Sequence, residues 1–526
     1  MVKQRKIIII VTLCVLLFPA VGAVEAQPDY NGSVTFGYVG FDDEGNRSAA
    51  SELYDTYDGL SLSNLTLNGN INPRTRYYLN LSDINFDGRR GSLDITNYDY
   101  YSIKANYRQT RGIFGDGDNL SVDRKFYSGL FRVKPVRYVE GYFQYRGSED
   151  EGDRVIYGID DQGLFGDSYD RNTTFYKGGL KLKHLGNHVD LFYGVRDFDD
   201  NLSDSLDAET EIMGASIFFN AHSRVNAIID YHHLKAKKEI SENYIKEDRL
   251  SFSFLTNPVE NLTITPRGHY RKIDEDPADV DSESYTGELI GDYRLVNYNS
   301  NLSASIGYEI RDAQDDRATA VAYSAGVQGK PHQYIGFKVK YDNHRRRDTY
   351  EALLTGYEDR INLVSELHLY PMVKSKIKAG YRYRVRENED IATQGKTQGL
   401  YLKANGYILR WIRLYGAISI DDIDYTSPLQ DYNYLMQLLS GQVQLSLSRK
   451  INLTLRGTYL DFDHDIESTK MDVDAAVSYR IINNLGLNAS YRRYELDSYS
   501  LSPHYYEANL FRITATFYFE NQHYSQ

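Results

Sequence analysis

Residues 374–386 read KSKIKAGYRYRVR, and their alternation decides the architecture. Lys374, Lys376, Lys378, Arg382, Arg384 and Arg386 fall on even positions with Gly380, whereas Ile377, Ala379, Tyr381, Tyr383 and Val385 fall on odd ones. Side chains alternate between the two faces of a strand, so this segment is basic on one side and apolar on the other. A cation facing hydrocarbon near the bilayer midplane costs about 2–4 kcal/mol, which excludes the basic face from lipid. The pattern predicts a membrane-spanning β-strand whose cations look into a watery lumen.

The same alternation recurs on both sides of this stretch. Phe337, Val339 and Tyr341 oppose Lys338, Lys340 and Asp342, and Ile451, Leu453 and Leu455 oppose Asn452, Thr454 and Arg456. At the C-terminus Phe511, Ile513, Ala515, Phe517 and Phe519 alternate with polar residues, which resembles the aromatic-ended final strand of outer-membrane barrels. Tight-turn signals fall at Asn72-Pro73, Lys134-Pro135, Leu185-Gly186, His222-Ser223, Asn257-Pro258, 297–300, Lys330-Pro331, Tyr370-Pro371, Arg410, Arg449-Lys450 and 482–484. From His222 onward they recur every ~33 to 40 residues, the period of a two-strand unit with one short and one long connection.

These turns predict an all-β, antiparallel up-and-down transmembrane barrel of 24 to 26 strands, with 26 favoured. Parity is open over 86–122, where 95–109 reads either as one bent strand or as two short ones. The long connections, 42–57, 147–171, 197–211, 274–283, 387–396, 421–432, 461–467 and 495–506, are acidic and are expected outside the cell as hydrated loops. Binding of divalent cations beside lipopolysaccharide is the alternative use of those loops, although Asp42-Asp43-Glu44 lacks the ordered spacing of a calcium loop.

Bulk properties agree with this picture. Residues 1–26, with Lys3, Arg5 and Lys6 before an apolar run and Val24-Glu25-Ala26 at the end, read as an export signal, leaving 27–526 as a single barrel domain. The one cysteine, Cys14, lies within that signal, so no thiolate ligand or haem attachment is expected in the exported chain. Beyond residue 26 no apolar run reaches the ~18 residues of a helical span. A mean hydropathy of −0.53 with 48 Tyr and one Trp suits strands that are half lipid-facing and half wet, with the tyrosines as an interfacial girdle. The formal charge of −13 argues against nucleic acid as a partner.

No catalytic constellation emerges. The adjacent His232 and His233 lie on opposite faces of one strand, and no nucleophile, phosphate loop or metal motif accompanies them, so neither an enzyme nor a bound cofactor or metal is expected. A plugged receptor would need ~100 residues of soluble domain before the first strand, and only 27–31 precede it, so a TonB-dependent receptor is not expected.

Residues 98–117, with Tyr101-Ser-Ile-Lys-Ala-Asn-Tyr107-Arg-Gln-Thr followed by Gly112-Ile-Phe-Gly115, resemble the barrel subunits of porin-cytochrome conduits of the MtrB/PioB type. That resemblance implies an outer-membrane sheath housing a multihaem c-type cytochrome for electron transfer to the exterior, with haem carried by the partner. In this reading the lumen-lining candidates Lys338, Lys340, Lys374, Lys376, Lys378, Arg382, Arg384 and Arg386 hold an acidic cytochrome surface. The competing expectation is a diffusion porin whose basic wall favours anionic or small polar solutes, and a third is that these charges only balance acids on neighbouring strands. The expected surroundings are outer-membrane lipid and lipopolysaccharide.

Overall fold

The computed structural model describes residues 29–45, 58–113, 121–156, 165–202, 207–222, 224–238, 244–276, 280–313, 316–346, 358–388, 393–428, 431–465, 467–498 and 505–521. The expected signal segment, 1–26, lies outside them. The described residues build one antiparallel sheet of 26 strands. The first quarter holds β1 (Asp29–Gly45), β2 (Gly59–Asn72), β3 (Thr75–Ser82), β4 (Arg90–Asn97), β5 (Tyr101–Ile113), β6 (Ser121–Val136) and β7 (Val139–Ile156). Next come β8 (Phe165–His184), β9 (Asn187–Asp200), β10 (Ala208–His222), β11 (Val225–Lys238), β12 (Tyr244–Val259), β13 (Leu262–Asp276) and β14 (Val280–Leu295). They are followed by β15 (Ser300–Ala313), β16 (Asp316–His332), β17 (Ile335–Arg346), β18 (Glu358–Leu369), β19 (Lys376–Asn388) and β20 (Thr393–Leu409). The last are β21 (Ile412–Thr426), β22 (Asp431–Ser446), β23 (Ile451–His464), β24 (Ser468–Ile482), β25 (Leu485–Ser498) and β26 (Tyr506–Asn521).

Each strand pairs with its neighbours in sequence, and β1 pairs with β26 from Tyr30↔Asn521 to Gly45↔Tyr506, which closes the barrel and removes every edge. Phe519 lies opposite Gly32 in that seam, and its ring fills the place where a Gly32 side chain would stand. The start of β1 and the end of β26 lie at the end of the barrel that carries the short turns, the periplasmic end of such barrels.

The undecided segment resolves into two strands. Asn97 Oδ1 accepts from the backbone N–H groups of Asp99 (3.1 Å) and Tyr100 (3.0 Å), an Asx turn that separates β4 from β5 and brings the count to 26. β3 and β4 have only 8 residues each, and the connection between them takes over the ladder. Asp83 and Ile84 donate to the Ser63 and Leu62 carbonyls (2.7 and 3.2 Å), and Phe86 is almost wholly buried, with the Arg512 guanidinium 5.3 Å from its ring centre.

Three proline turns are displaced from their expected positions. β6, β12 and β16 run on through Pro135, Pro258 and Pro331 and turn two residues later, at 137–138, 260–261 and 333–334. Each of these prolines sits inside a register shift, between Val133 and Val136, Thr256 and Val259, and Gly329 and His332. A bulge leaves its extra residue out of the ladder, so a residue without an N–H costs no hydrogen bond there.

Among the described residues, strand reaches far into the long acidic connections. β7 and β8 stay paired as far as Ile156↔Phe165, and β21 and β22 as far as Thr426↔Asp431. Crossing hydrocarbon takes about 9–11 residues of tilted strand, whereas β8 has 20, so the wall stands proud of the membrane on its outer side. Acidic residues expected in hydrated loops are therefore part of the ladder.

The outer face carries the apolar half of every alternation. Phe337, Leu367, Ala379, Leu402, Ile418 and Leu439 follow one another in register across β17 to β22. Leu367, Leu402, Ile418 and Leu439 are all exposed on the free chain. A contiguous exposed apolar belt on this scale is a lipid-contacting surface.

Candidate functional site

Lumen-facing side chains of β17 to β21 form a densely charged part of the inner wall, and two buried carboxylates organise it. Glu366 on β18, 8% exposed, accepts from Lys378 Nζ (2.5 Å), from the Tyr401 hydroxyl and from His368 Nε2 (2.9 Å). Glu366, Gly380 and Tyr401 are opposite one another across β18, β19 and β20. A side chain at Gly380 would occupy the Tyr401 ring, so the glycine opens the path by which the phenol crosses one strand to reach Glu366.

Asp421 on β21 is fully buried and takes both Nε (2.5 Å from Oδ1) and Nη2 of Arg382 on β19. The strand between them presents Gly399, and a Cβ there would run into the Asp421 carboxylate. Two glycines on adjacent strands thus allow long side chains to bridge over a neighbour. Fork-to-carboxylate pairing of this kind is strong and directional, and it fixes the wall more than it advertises charge.

Elsewhere on the inner wall the same arrangement recurs. Glu140 on β7, 7% exposed, accepts from Lys183 and lies 3.8 Å from Arg132. Glu247 on β12, equally buried, is held by Arg249 and Arg271. Asp472 on β24 takes two hydrogen bonds from Arg492 (2.9 and 2.7 Å).

The expected basic row is therefore only partly free. Lys378 and Arg382 are committed to Glu366 and Asp421, and Lys340 lies 2.8 Å from Asp342 on its own strand. Lys374 does not line the lumen: it sits at the exposed turn between β18 and β19 with φ 66°, because the turn that begins at Tyr370-Pro371 runs on to Ser375. Lys376 stands 5.6 Å from the Tyr370 ring centre. Lys338 is opposite Glu366, whose oxygens are already taken, and Arg384 is opposite Asn362. Arg386 faces Arg360 across the same ladder. Among the described residues no carboxylate pairs with Lys338, Lys376, Arg384 or Lys403, and Lys403 lies directly opposite Lys378. Like charges placed face to face repel, so this strip is poised for an anion.

Alternation within single strands does not reveal the acids that matter here. In the sequence Asp421 opens a long acidic connection, 421–432, and Glu366 carries no signal of its own. Counting residues from the nearest short turn carries the signal, because Asp421 lies ten residues past the Arg410-Trp411 turn, within the length of a spanning strand.

No family model matches this sequence, and neither does any curated protein. Among solved structures the barrel is similar to the FrpB iron transporter from Neisseria meningitidis, with 9% identity over 94% of this chain and 82% of that one and a TM-score of 0.53. It is similar to a mutant form of the ferric enterobactin receptor PfeA from Pseudomonas aeruginosa, with 8% identity over 94% and 81% of the two chains and a TM-score of 0.53. The ferric-catecholate import receptor Fiu from E. coli K12 in its closed form matches at 10% identity over 94% and 82%, with a TM-score of 0.51. These counterparts are an iron transporter and ferric-chelate receptors, neither porins nor cytochrome sheaths. The expected electron-transfer conduit with its cytochrome partner, and the expected diffusion porin, are corrected on that finding. The chain is an outer-membrane β-barrel whose apolar belt contacts lipid, built on the fold those proteins share.

Proposed function

We propose that this protein is a receptor-type importer of the outer membrane that binds an anionic metal chelate in its lumen, with a ferric catecholate as the first candidate. The observation that carries this reading is the strip of lumenal cations without carboxylate partners, Lys338, Lys376, Arg384 and Lys403. A low-dielectric wall lined by one sign of charge concentrates ligands of the other sign. Arg384 adds a planar fork that matches a pair of chelating oxygens. Similarity to barrels described as ferric-catecholate and ferric-enterobactin receptors supports the choice of ligand class.

A receptor binds saturably, whereas a passive channel does not. Quenching of the protein's intrinsic fluorescence by a ferric tris-catecholate is expected to saturate in detergent solution. A neutral ferric hydroxamate is expected to bind at least tenfold more weakly. Absence of saturable binding, or equal binding of the neutral chelate, would overturn the proposal.

A further inference from the structure

Six strands round the ring from the basic strip, the lumenal face of β11 to β14 carries a surface of different chemistry. A concavity of about 450 Å3 is lined there by Asp230, Ser251, Arg267, His269, Thr286 and Glu288. The strand register orders them in two rows. Asp230, Ser251, His269 and Thr286 are successive partners across β11, β12, β13 and β14, and Ser253, Arg267 and Glu288 follow in the neighbouring row.

None of these six side chains is engaged. Among the described residues no hydrogen bond or ion pair involves any of them. The contrast with the same strands further toward the loops is sharp, since Glu247 there is held by both Arg249 and Arg271. Arg267 and Glu288 are directly opposite each other on paired strands, where opposite charges ordinarily close into a bridge. Here the pair stands open, and the Glu288 stem lies beside Gly307 on the side away from Arg267, its Cγ 3.6 Å from where a Gly307 Cβ would stand. An open acid and base separated by one strand spacing, with a second acid further along, is a binding surface for a ligand of complementary charge pattern.

The geometry points to a basic amino acid, or the end of a basic peptide, as the ligand of this concavity. Its carboxylate would sit on the Arg267 guanidinium and its α-ammonium on Glu288, the two anchors standing on paired strands directly opposite each other. Asp230 lies two strands and one row from Arg267, about 12 Å from backbone to backbone at the usual spacings of sheets. An extended lysine or arginine with a hydrogen bond of about 2.8 Å at each end spans that gap and brings its side-chain cation to Asp230. Ser251, His269 and Thr286 form the floor between these anchors and offer donors and acceptors to the stem and amide groups. A glutamate of similar length would set its second carboxylate against Asp230 and is excluded by charge.

This inference stands on residues separate from the basic strip and does not depend on the chelate reading. Equilibrium dialysis of the purified full chain in detergent against radiolabelled L-lysine tests it, with L-glutamate as the comparison probe and heat-modifiable gel migration as the check on folding. The expected result is saturable lysine binding, glutamate binding at least tenfold weaker, and a tenfold or greater loss of lysine binding in Asp230→Asn and in Arg267→Gln. Binding of a ferric tris-catecholate should be unchanged in Asp230→Asn. The proposal is overturned by absent lysine binding, by equal retention of both amino acids, or by folded Asp230→Asn and Arg267→Gln variants that bind lysine like the parent.

Discussion

Arg382 reaches over Gly399 of the intervening strand and holds both oxygens of Asp421, which is wholly buried in the barrel wall. Removing one partner strands the other. Asp421→Ala should lower unfolding stability by about 3 kcal/mol, the lower end of the range for a broken buried pair because Arg382 remains 42% exposed to lumen water. Replacing both residues by leucine should restore most of that loss. Urea titration of folded barrel, read by gel migration, checks both outcomes.

Tyr401 depends on Gly380 in the same way. Gly380→Ala forces the ring away from Glu366 and should cost about 1–3 kcal/mol, the usual range for overpacking. Tyr401→Phe keeps the ring in place and removes only a hydrogen bond to a charged acceptor, for about 1.5–3 kcal/mol. If the ring position matters as described, combining the two changes costs less than their sum, which a double-mutant cycle measures.

The β8–β9 turn offers a gain instead. Leu185 and Gly186 both have positive φ, 46° and 88°, and Leu185 is 84% exposed, so its side chain contributes strain without burial. Asn-Gly is the sequence this two-residue turn favours. Leu185→Asn should raise stability by about 1 kcal/mol, visible as a higher urea midpoint at unchanged slope.

Face assignment has its own test. A cysteine placed at Arg384 should react with a membrane-impermeant maleimide in proteoliposomes, and one at Leu402, on the apolar belt, should not. Changes of charge follow the same division. Leu402→Arg should cost about 2–4 kcal/mol of folding stability in lipid, and Arg384→Gln almost none.

Much of this barrel is legible in its sequence because period-two alternation and turn chemistry are local. The basic and apolar faces around Arg382 follow from side-chain alternation alone, and the Leu185-Gly186 turn signal fixes its hairpin to the residue. Three features were not legible for reasons that are also physical. Proline marks a bulge as readily as a turn, which displaced the turns near Pro135, Pro258 and Pro331. Asn97 makes an Asx turn without Gly or Pro, which hid the break between β4 and β5. The third is the pairing of charges: nothing in one strand says that Asp421 will meet Arg382 two strands away, since the barrel's stagger sets that meeting. A row of cations in sequence therefore overstates the free charge of the lumen. Lys378 and Arg382 are spoken for, and Lys374 belongs to a turn, whereas Lys338, Lys376, Arg384 and Lys403 keep the basic character.

Binding of a ferric tris-catecholate to the parent protein and to the double variant Lys338→Glu/Arg384→Glu, at low and at high ionic strength, tests the proposed function most directly. The predicted result is saturable binding to the parent that weakens with salt, and a loss of at least tenfold in the variant, about 1.4 kcal/mol. Equal affinity of parent and variant at low ionic strength would contradict it.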